Sequence, residues 1–184
     1  MIYVLGGASR SGKTLLARRA VSEKGVPYFP LDALFGGLAN GAPQFGVSYE
    51  QSFIDRAEKI WPVAKHVLGF FFREEKDFLI EGDSILPKQV HELIIEGNSV
   101  KSCFLGYTAL SKEEKLALVR SYHQGALDWT KDISDEEMYR YIDEMIQFSI
   151  YLKEECAKYE IRYFDISHDF DRPRQDAFDH LFGQ

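Results

Sequence analysis

Eight consecutive residues near the N-terminus have the types and spacing that bind phosphate groups. They fit the pattern G-x-x-x-x-G-K-[ST] without a gap and comprise Gly7, Ala8, Ser9, Arg10, Ser11, Gly12, Lys13 and Thr14. The glycines let backbone N–H groups turn inward around phosphate oxygens, and a helix beginning near Lys13 adds the positive end of its dipole. The pattern therefore predicts a binding site for the phosphates of a nucleoside triphosphate.

The last two residues of this segment have side chains suited to phosphoryl transfer. Lys13 should reach the β and γ phosphates, and the Thr14 hydroxyl is a ligand for a magnesium ion that bridges them. The alternative is a chance glycine turn beside a surface lysine. Because glycine makes up about 7% of average proteins, a chance match in a chain of this size is expected at roughly 1% or less. We therefore favour phosphate binding, with Lys13 as a catalytic residue.

Acidic side chains follow the second and third predicted strands, at the sheet edge where open α/β sheets bind ligands. Asp32 follows the run 28–31 and either accepts the proton of an attacking hydroxyl or forms the turn before a helix. Glu81 and Asp83 flank Gly82 after the next strand, where they either hold magnesium or substrate, or solvate a loop. We take Asp32 as a catalytic and substrate candidate, Glu81 and Asp83 as metal candidates, and Glu81 also as a substrate candidate.

The region between the second and third strands is a candidate for covering the substrate. Residues 36–46 are rich in glycine and lack apolar periodicity, which predicts a mobile loop. Residues 49–75 have helical spacing, with Pro62 expected to kink the helix or divide it. Arg56 on this helix either contacts an anionic acceptor or belongs to an exposed helix face. The substrate-covering region is therefore placed at about 36–75.

A second covering element, a lid, is predicted at about residues 120–133. Arg120 and Lys131 are cations that can close over the transferring phosphate, and His123 and Trp129 lie between them. Solvated helix ends and a packed tryptophan explain the same residues. The lid is thus a hypothesis based on the types of these side chains.

Strand and helix patterns alternate along the whole chain. Candidate strands lie at 2–5, 28–31, 78–80, 100–105 and 161–166. Candidate helices lie at 14–24, 49–75, from 87, from 111 to about 123, from 134 to about 159, and at 173–181, with capping boxes at 111–114 and 134–137. This order predicts an α/β fold in one domain, 1–184, with a parallel sheet covered by helices on both faces.

Bulk composition narrows the partners. The chain has 184 residues, 45% of them hydrophobic, and a formal charge of −7 without a basic stripe, so nucleic acid is not expected as the main partner. Cys103 and Cys156 are far apart and fit no zinc motif, which favours a reducing cytoplasm. No apolar run reaches membrane-spanning length. We expect no membrane partner and either a monomer or a homodimer.

Four segments together resemble the P-loop kinases of the nucleoside, shikimate and adenylate kinase-like group: the glycine-rich segment, Asp32, the strand end 81–83 and the strand 164–167. The likeness covers nearly the whole chain in its order of elements. It implies a three-layer fold with a five-stranded parallel sheet in the order 2-3-1-4-5, ATP as donor and Mg²⁺. It also implies a substrate-covering region after strand two and a helical lid after strand four.

The resemblance carries over to single residues. It assigns the loop lysine and threonine to Lys13 and Thr14, the acceptor-contacting acid to Asp32, and the strand-three acid to Glu81 or Asp83. A narrower likeness, to small uncharacterised proteins near 2-phosphoglycerate kinase, is based on the segments 104–107, 128–129 and 163–167. Typical lids of the group carry two or more closely spaced arginines, whereas residues 124–133 contain none.

Two functions follow from these patterns. The first is a small-molecule kinase in which Asp32 orients or deprotonates an acceptor hydroxyl while Lys13 and Mg²⁺ hold ATP. The second is a nucleotide-sensing protein that changes shape without phosphorylating a metabolite, which the arginine-free lid favours. A GTPase is disfavoured because the guanine-selecting N-K-x-D pattern is absent.

Overall fold

Five parallel strands form the centre of the protein. The computed structural model describes residues 1–74, 76–121 and 130–183. The strands are β1 (Ile2–Gly7), β2 (Tyr28–Pro30), β3 (Phe78–Gly82), β4 (Val100–Gly106) and β5 (Arg162–Asp165). They pair in the order β2-β3-β1-β4-β5, so the strand that leads into the glycine-rich segment is central. The α/β fold class and the strand order implied by the resemblance are confirmed.

Helices connect the strands and cover the sheet on both faces. Within the described residues they are α1 (Lys13–Lys24), α2 (Leu31–Gly41), α3 (Phe53–Arg73), α4 (Pro87–Ile95), α5 (Lys112–Ser121), α6 (Asp135–Lys158) and α7 (Arg172–Phe182), with a short 3₁₀ turn at Pro43–Phe45. The sheet residues between the layers are fully buried, among them Val4, Leu79 and Phe104. Strands covered on both faces are expected of an all-parallel sheet.

The predicted helix starts have the expected capping contacts. Ser111 and Glu114 bond reciprocally, because the Glu114 N–H donates to the Ser111 hydroxyl and the Ser111 N–H donates to the Glu114 carboxylate. At the second site, the hydroxyl of Ser134 accepts the Glu137 N–H. Pro87 occupies the first turn of α4, where its missing N–H costs nothing. These local signals fixed three helix starts correctly.

Between β2 and β3 the structure contradicts one prediction and excludes one of the two alternatives given for another. Residues 36–41 are not a mobile loop but the second half of α2, because burial of Leu31 and Phe35 outweighs the low helix propensity of the glycines. Asp32 consequently lies in the first turn of a helix rather than in a turn before one. Pro62, predicted either to kink or to divide the helix at 49–75, does not divide it, since α3 is one helix of 21 residues that contains Pro62.

The long helix holds together across Pro62 because its apolar face is well packed. Ala57, Ile60, Ala64 and Leu68 recur at helical spacing and are at most 1% exposed. Burial of such a stripe offsets the hydrogen bond that proline removes.

None of the described helices combines the length and the apolar character that a membrane span requires.

Candidate functional site

A cavity of about 730 Å³ opens at the carboxyl edge of the sheet. Its walls come from three parts of the chain: the glycine-rich segment, which we call the phosphate loop (residues 7–14), acids at the ends of β2 and β3, and the face of α5 with the loop after β5. Ligands of open α/β sheets bind at this edge, where the strand order reverses. The cavity is therefore the candidate functional site.

The conformation of the phosphate loop requires its glycines. Gly7 has φ +146°, and a Cβ at this position would lie 2.1 Å from the carbonyl oxygen of Leu105. Gly12, just before α1, has φ +88°, in the region that side chains disfavour. Neighbouring elements hold the loop from outside, since the Ala8 N–H donates to the Leu105 carbonyl at 2.9 Å and the Tyr107 hydroxyl donates to the Ser9 carbonyl at 2.8 Å. The loop is thus shaped before any ligand binds.

Two side chains of the loop suit an anionic ligand. Lys13 is only 6% exposed, and its ammonium donates to the carbonyl oxygen of Ala8 at 2.8 Å. The hydroxyl of Ser11 is fully buried and has no hydrogen-bond partner among the described residues. Because a buried polar group without a partner costs free energy, a ligand that accepts hydrogen bonds fits this loop. The phosphates of a nucleotide are such acceptors.

Oxygen donors that suit Mg²⁺ lie beside the loop. The Thr14 hydroxyl donates to Glu81 at 3.2 Å, and Glu81 and Asp83 both line the cavity. Burial raises the pKa of Glu81, while the Lys13 ammonium and the Thr14 hydroxyl oppose this rise. No group of three or more His, Cys, Asp or Glu side chains in the described ranges is arranged to hold a metal by itself. One or two carboxylates completed by phosphates and waters is the arrangement that Mg²⁺ prefers.

Asp32 projects from the first turn of α2 toward the same acids. Gly82 allows this approach, since a Cβ there would lie 3.3 Å from Oδ1 of Asp32 and 3.0 Å from Cβ of Leu31. The carboxyl is exposed to the open cavity, although protein atoms enclose it on most sides. This partial burial, with repulsion from Asp83, raises the pKa of Asp32 to about 8. A carboxyl with this pKa can exchange a proton near neutral pH.

The loop after β5 completes the cavity. Asp165 accepts hydrogen bonds from the Ser167 hydroxyl at 2.5 Å and the Thr108 hydroxyl at 2.5 Å. Although partial burial acts to raise it, these bonds lower the pKa of Asp165. The anchored loop places Phe170 at the cavity, where the Arg174 guanidinium lies 4.1 Å from its ring centroid. The loop after β5 therefore gives this side of the cavity an aromatic ring.

Arg56 does not line this cavity. Its guanidinium lies 5.5 Å from the ring centroid of Phe35, 5.1 Å from that of Phe53 and 6.0 Å from that of Tyr49. The guanidinium also donates to the carbonyl oxygen of Tyr49. Arg56 therefore packs within the substrate-covering region, and its role as a substrate contact stays a prediction.

The lid candidates are partly outside the described residues. Residues 122–129, which include His123 and Trp129, are not described. Arg120 bonds the carbonyl oxygens of Thr130 and Ile133 at 2.5 and 2.6 Å and pairs with Asp135 at 2.8 Å. Arg120 and Lys131 do not line the cavity, and Lys131 is exposed. In this conformation Arg120 anchors the segment after residue 129, and the lid remains a hypothesis.

Two cations in the cavity wall escaped sequence reasoning. Arg18 lines the cavity from α1, one turn after Thr14. Lys115 lines it from α5 and is only 3% exposed. The available signal for Lys115 was its position on the apolar face of α5 with Leu116 and Val119, because a lysine on such a face needs a reason to be buried.

Solved structures that share this fold include three that align with nearly the whole chain. A gluconokinase from Sinorhizobium meliloti 1021 has a TM-score of 0.60 and 14% identity, over 97% of this chain and 90% of its own. A shikimate kinase from Bacteroides thetaiotaomicron has a TM-score of 0.53 and 17% identity, over 98% of this chain and 95% of its own. An uncharacterised protein from Eubacterium ventriosum ATCC 27560 has a TM-score of 0.55 and 14% identity, over 100% of this chain and 99% of its own.

These comparisons confirm the fold of the P-loop kinases, the group that the sequence resembles. No protein-family model and no curated protein sequence matches the chain. The narrower likeness to proteins near 2-phosphoglycerate kinase therefore stays a prediction. At 14–17% identity, the structural likeness extends to the fold and leaves the chemistry to the residues of the cavity.

Proposed function

We propose that this protein is a small-molecule kinase that transfers the γ-phosphoryl group of ATP to a hydroxyl, with Mg²⁺ as cofactor. The observation that carries the proposal is one cavity lined by the phosphate loop and by the carboxylates of Asp32, Glu81 and Asp83. A site that only binds a nucleotide needs the loop, whereas phosphoryl transfer also needs a proton acceptor beside it. The kinase fold of the gluconokinase and shikimate kinase neighbours is consistent with this reaction.

Each residue has a proposed role. Asp32 accepts the proton of the acceptor hydroxyl while the hydroxyl oxygen bonds to the γ phosphorus. The bond between the γ phosphorus and the β–γ bridging oxygen breaks, and ADP leaves. Lys13 and the N–H groups of the phosphate loop stabilise the charge on the phosphate oxygens. Thr14, with Glu81 or Asp83, would hold Mg²⁺, which supplies neutralisation of phosphate charge. Positioning by these groups supplies most of the rate.

The experiment compares the wild type with Lys13→Ala and with Lys24→Ala, a control at the exposed end of the same helix. Each protein is incubated with ATP, Mg²⁺ and a panel of nucleosides, sugars, other polyols and phosphorylated hydroxy acids. We expect wild type and Lys24→Ala to form ADP and a phosphorylated product with at least one acceptor. We expect Lys13→Ala to lose roughly 10³-fold in rate, because it lacks the charge that stabilises the transferring group.

The second candidate is a nucleotide-sensing protein without metabolite kinase activity. It is supported by the hydrogen bond from Arg10 of the phosphate loop to the Thr130 hydroxyl at 2.9 Å, which links the loop to the segment that Arg120 anchors. Binding of a nucleotide at the loop can therefore alter that segment. Tight ATP binding with no product from any acceptor would favour sensing and reject the kinase.

A further inference from the structure

Lys115 is a second buried lysine beside the phosphate loop, and it comes from a different element than Lys13. Its ammonium donates to the carbonyl oxygen of Arg10 at 3.0 Å. The same ammonium lies 3.6 Å from the ring centroid of Tyr107, which itself bonds the loop at Ser9. The side chain is 3% exposed and lines the cavity. Lys115 is thus fixed at the loop by two independent contacts.

The surroundings of this ammonium are unfavourable for a positive charge. Among residues 1–74, 76–121 and 130–183, no carboxylate pairs with Lys115, while its charged neighbours Arg10 and Lys13 are both cations. Burial and these two cations lower the pKa of Lys115 to about 7. By contrast, Lys112 on the same helix is half-exposed and pairs with the carboxylate of Asp143. Lys115 thus places a buried positive charge beside two other cations, and no carboxylate of the described residues pairs with it.

We propose that Lys115 contacts the phosphates of the bound nucleotide and, with Lys13, supplies the positive charge that holds them. A phosphate group is the anion that the Lys115 ammonium lacks, and a phosphate in the cavity is within reach of both lysines. The proposal rests on the proposed nucleotide site, but it does not depend on the acceptor or on kinase activity.

Proton uptake is a consequence that can be measured. The groups facing Lys115 are Arg10 and Lys13 from the phosphate loop and Tyr107 from the end of β4, whose own pKa is raised well above its ordinary value by burial. Phosphates beside Lys115 favour its charged form, so binding raises its pKa from about 7. Between pH 7 and 8 the nucleotide complex should therefore take up protons at this side chain.

The test uses the full chain and calorimetric titration with MgATP and with magnesium tripolyphosphate, which lacks the base and sugar. We expect Lys115→Met to weaken both ligands by at least tenfold and by similar factors, since only phosphate contacts are lost. Lys115→Arg should restore most of the affinity, but it should reduce proton uptake measured in buffers of different ionisation enthalpy because arginine stays charged. Lys112→Met is the matched control, expected within twofold of the wild type.

Stability of the free protein separates a phosphate contact from a structural contact. Because the lysine is buried without a counter-charge, Lys115→Met should leave the Tm of the free protein equal or higher. A lower Tm together with MgATP affinity within twofold of the wild type would overturn the proposal and make Lys115 a support of the loop. Weakened MgATP with unchanged tripolyphosphate binding would also overturn it.

The outcome is independent of the kinase assay. If the wild type binds MgATP but phosphorylates no acceptor, the proposed kinase function fails while the Lys115 proposal is still decided by the titrations. If an acceptor is phosphorylated and Lys115→Met binds MgATP like the wild type, the kinase stands and the Lys115 proposal fails.

Discussion

The two walls of the cavity are built in opposite ways. The phosphate loop is one contiguous segment, residues 7–14, whose shape comes from glycine backbone and whose charge comes from its own cations and from Lys115 beside it. The opposite wall consists of carboxylates that α2 and β3 bring together from separate parts of the chain. A phosphate tail is common to many substrates and can be bound by backbone groups, whereas an acceptor is recognised by side chains. The first wall should therefore tolerate few changes in shape and the second few changes in charge.

The largest effect is expected for Asp32→Asn, which tests whether the carboxylate wall acts in turnover rather than in nucleotide binding. The variant keeps the shape of the carboxylate wall but cannot accept a proton, so we expect turnover to fall by roughly 10²–10⁴-fold. MgATP affinity, measured by titration, should stay within a few-fold because the phosphate loop is unchanged. Equal losses in affinity and turnover would show instead that Asp32 acts in nucleotide binding.

The approach of α2 to β3 is tested by Gly82→Ala. The added Cβ would lie 3.0 Å from Cβ of Leu31 and 3.3 Å from Oδ1 of Asp32, so α2 has to shift. We expect a loss of about 1–3 kcal/mol in the free energy of unfolding and a lower turnover, measured by denaturant titration and product assay. Gly69→Ala is the control, since no described residue beyond the adjacent backbone of α3 lies within 4 Å of its Cβ, and it should gain up to about 1 kcal/mol in α3.

The charge of the carboxylate wall predicts a pH-dependent stability in metal-free buffer. The pKa of Asp32 is about 8 in the folded protein and about 3.9 when unfolded. Between these values Asp32 is protonated in the folded protein and ionised in the unfolded chain. The free energy of unfolding therefore decreases as pH rises from 4 to 8. The Tm of Asp32→Asn should therefore equal that of the wild type near pH 4 and exceed it at pH 8. A constant difference across this range would contradict the raised pKa.

The smallest effect is expected at Arg56, outside both walls. Its guanidinium packs among Phe35, Tyr49 and Phe53. Arg56→Lys should cost about 1 kcal/mol of stability through the lost stacking, with turnover unchanged. Arg73→Lys, whose guanidinium faces the exposed Phe70, is a control with a smaller expected cost. A large loss of turnover in Arg56→Lys would instead support the predicted contact between Arg56 and the substrate.

Sequence patterns predicted the parts of the site that local chemistry specifies. The glycine conformations of the phosphate loop and the capping box at Ser111 are local features that involve a few residues each. The acids at the end of β3 line the same cavity as the loop, while their roles stay predictions. The strand order was also correct, but it came from the resemblance rather than from periodicity. Local signals therefore sufficed for the phosphate wall.

The errors and omissions concern contacts between distant segments. The glycines of residues 36–41 favour a loop locally, yet Leu31 and Phe35 pack against the core and hold the segment in a helix. Lys115 lies on the apolar face of α5, but its contact with the phosphate loop follows only from how α5 docks there. The aromatic neighbours of Arg56 come from three separate positions in the chain, so its packing does not follow from the helix pattern alone. Such features follow from tertiary packing, which composition and periodicity do not encode.

The central position of β1 also sets the timing of folding. Ile2 pairs with Phe78 on one side and with Val100 on the other, so β1 is synthesised well before either of its partner strands. Parallel pairings at this sequence separation form slowly, because the entropy of closing the intervening loop is lost before the strand contacts form. During synthesis, the ribosome therefore has to release residues through Gly106 before β1 and the phosphate loop behind it gain both neighbours. We expect nascent chains that end before Gly106 to lack nucleotide affinity, so the phosphate loop becomes functional long after it is synthesised.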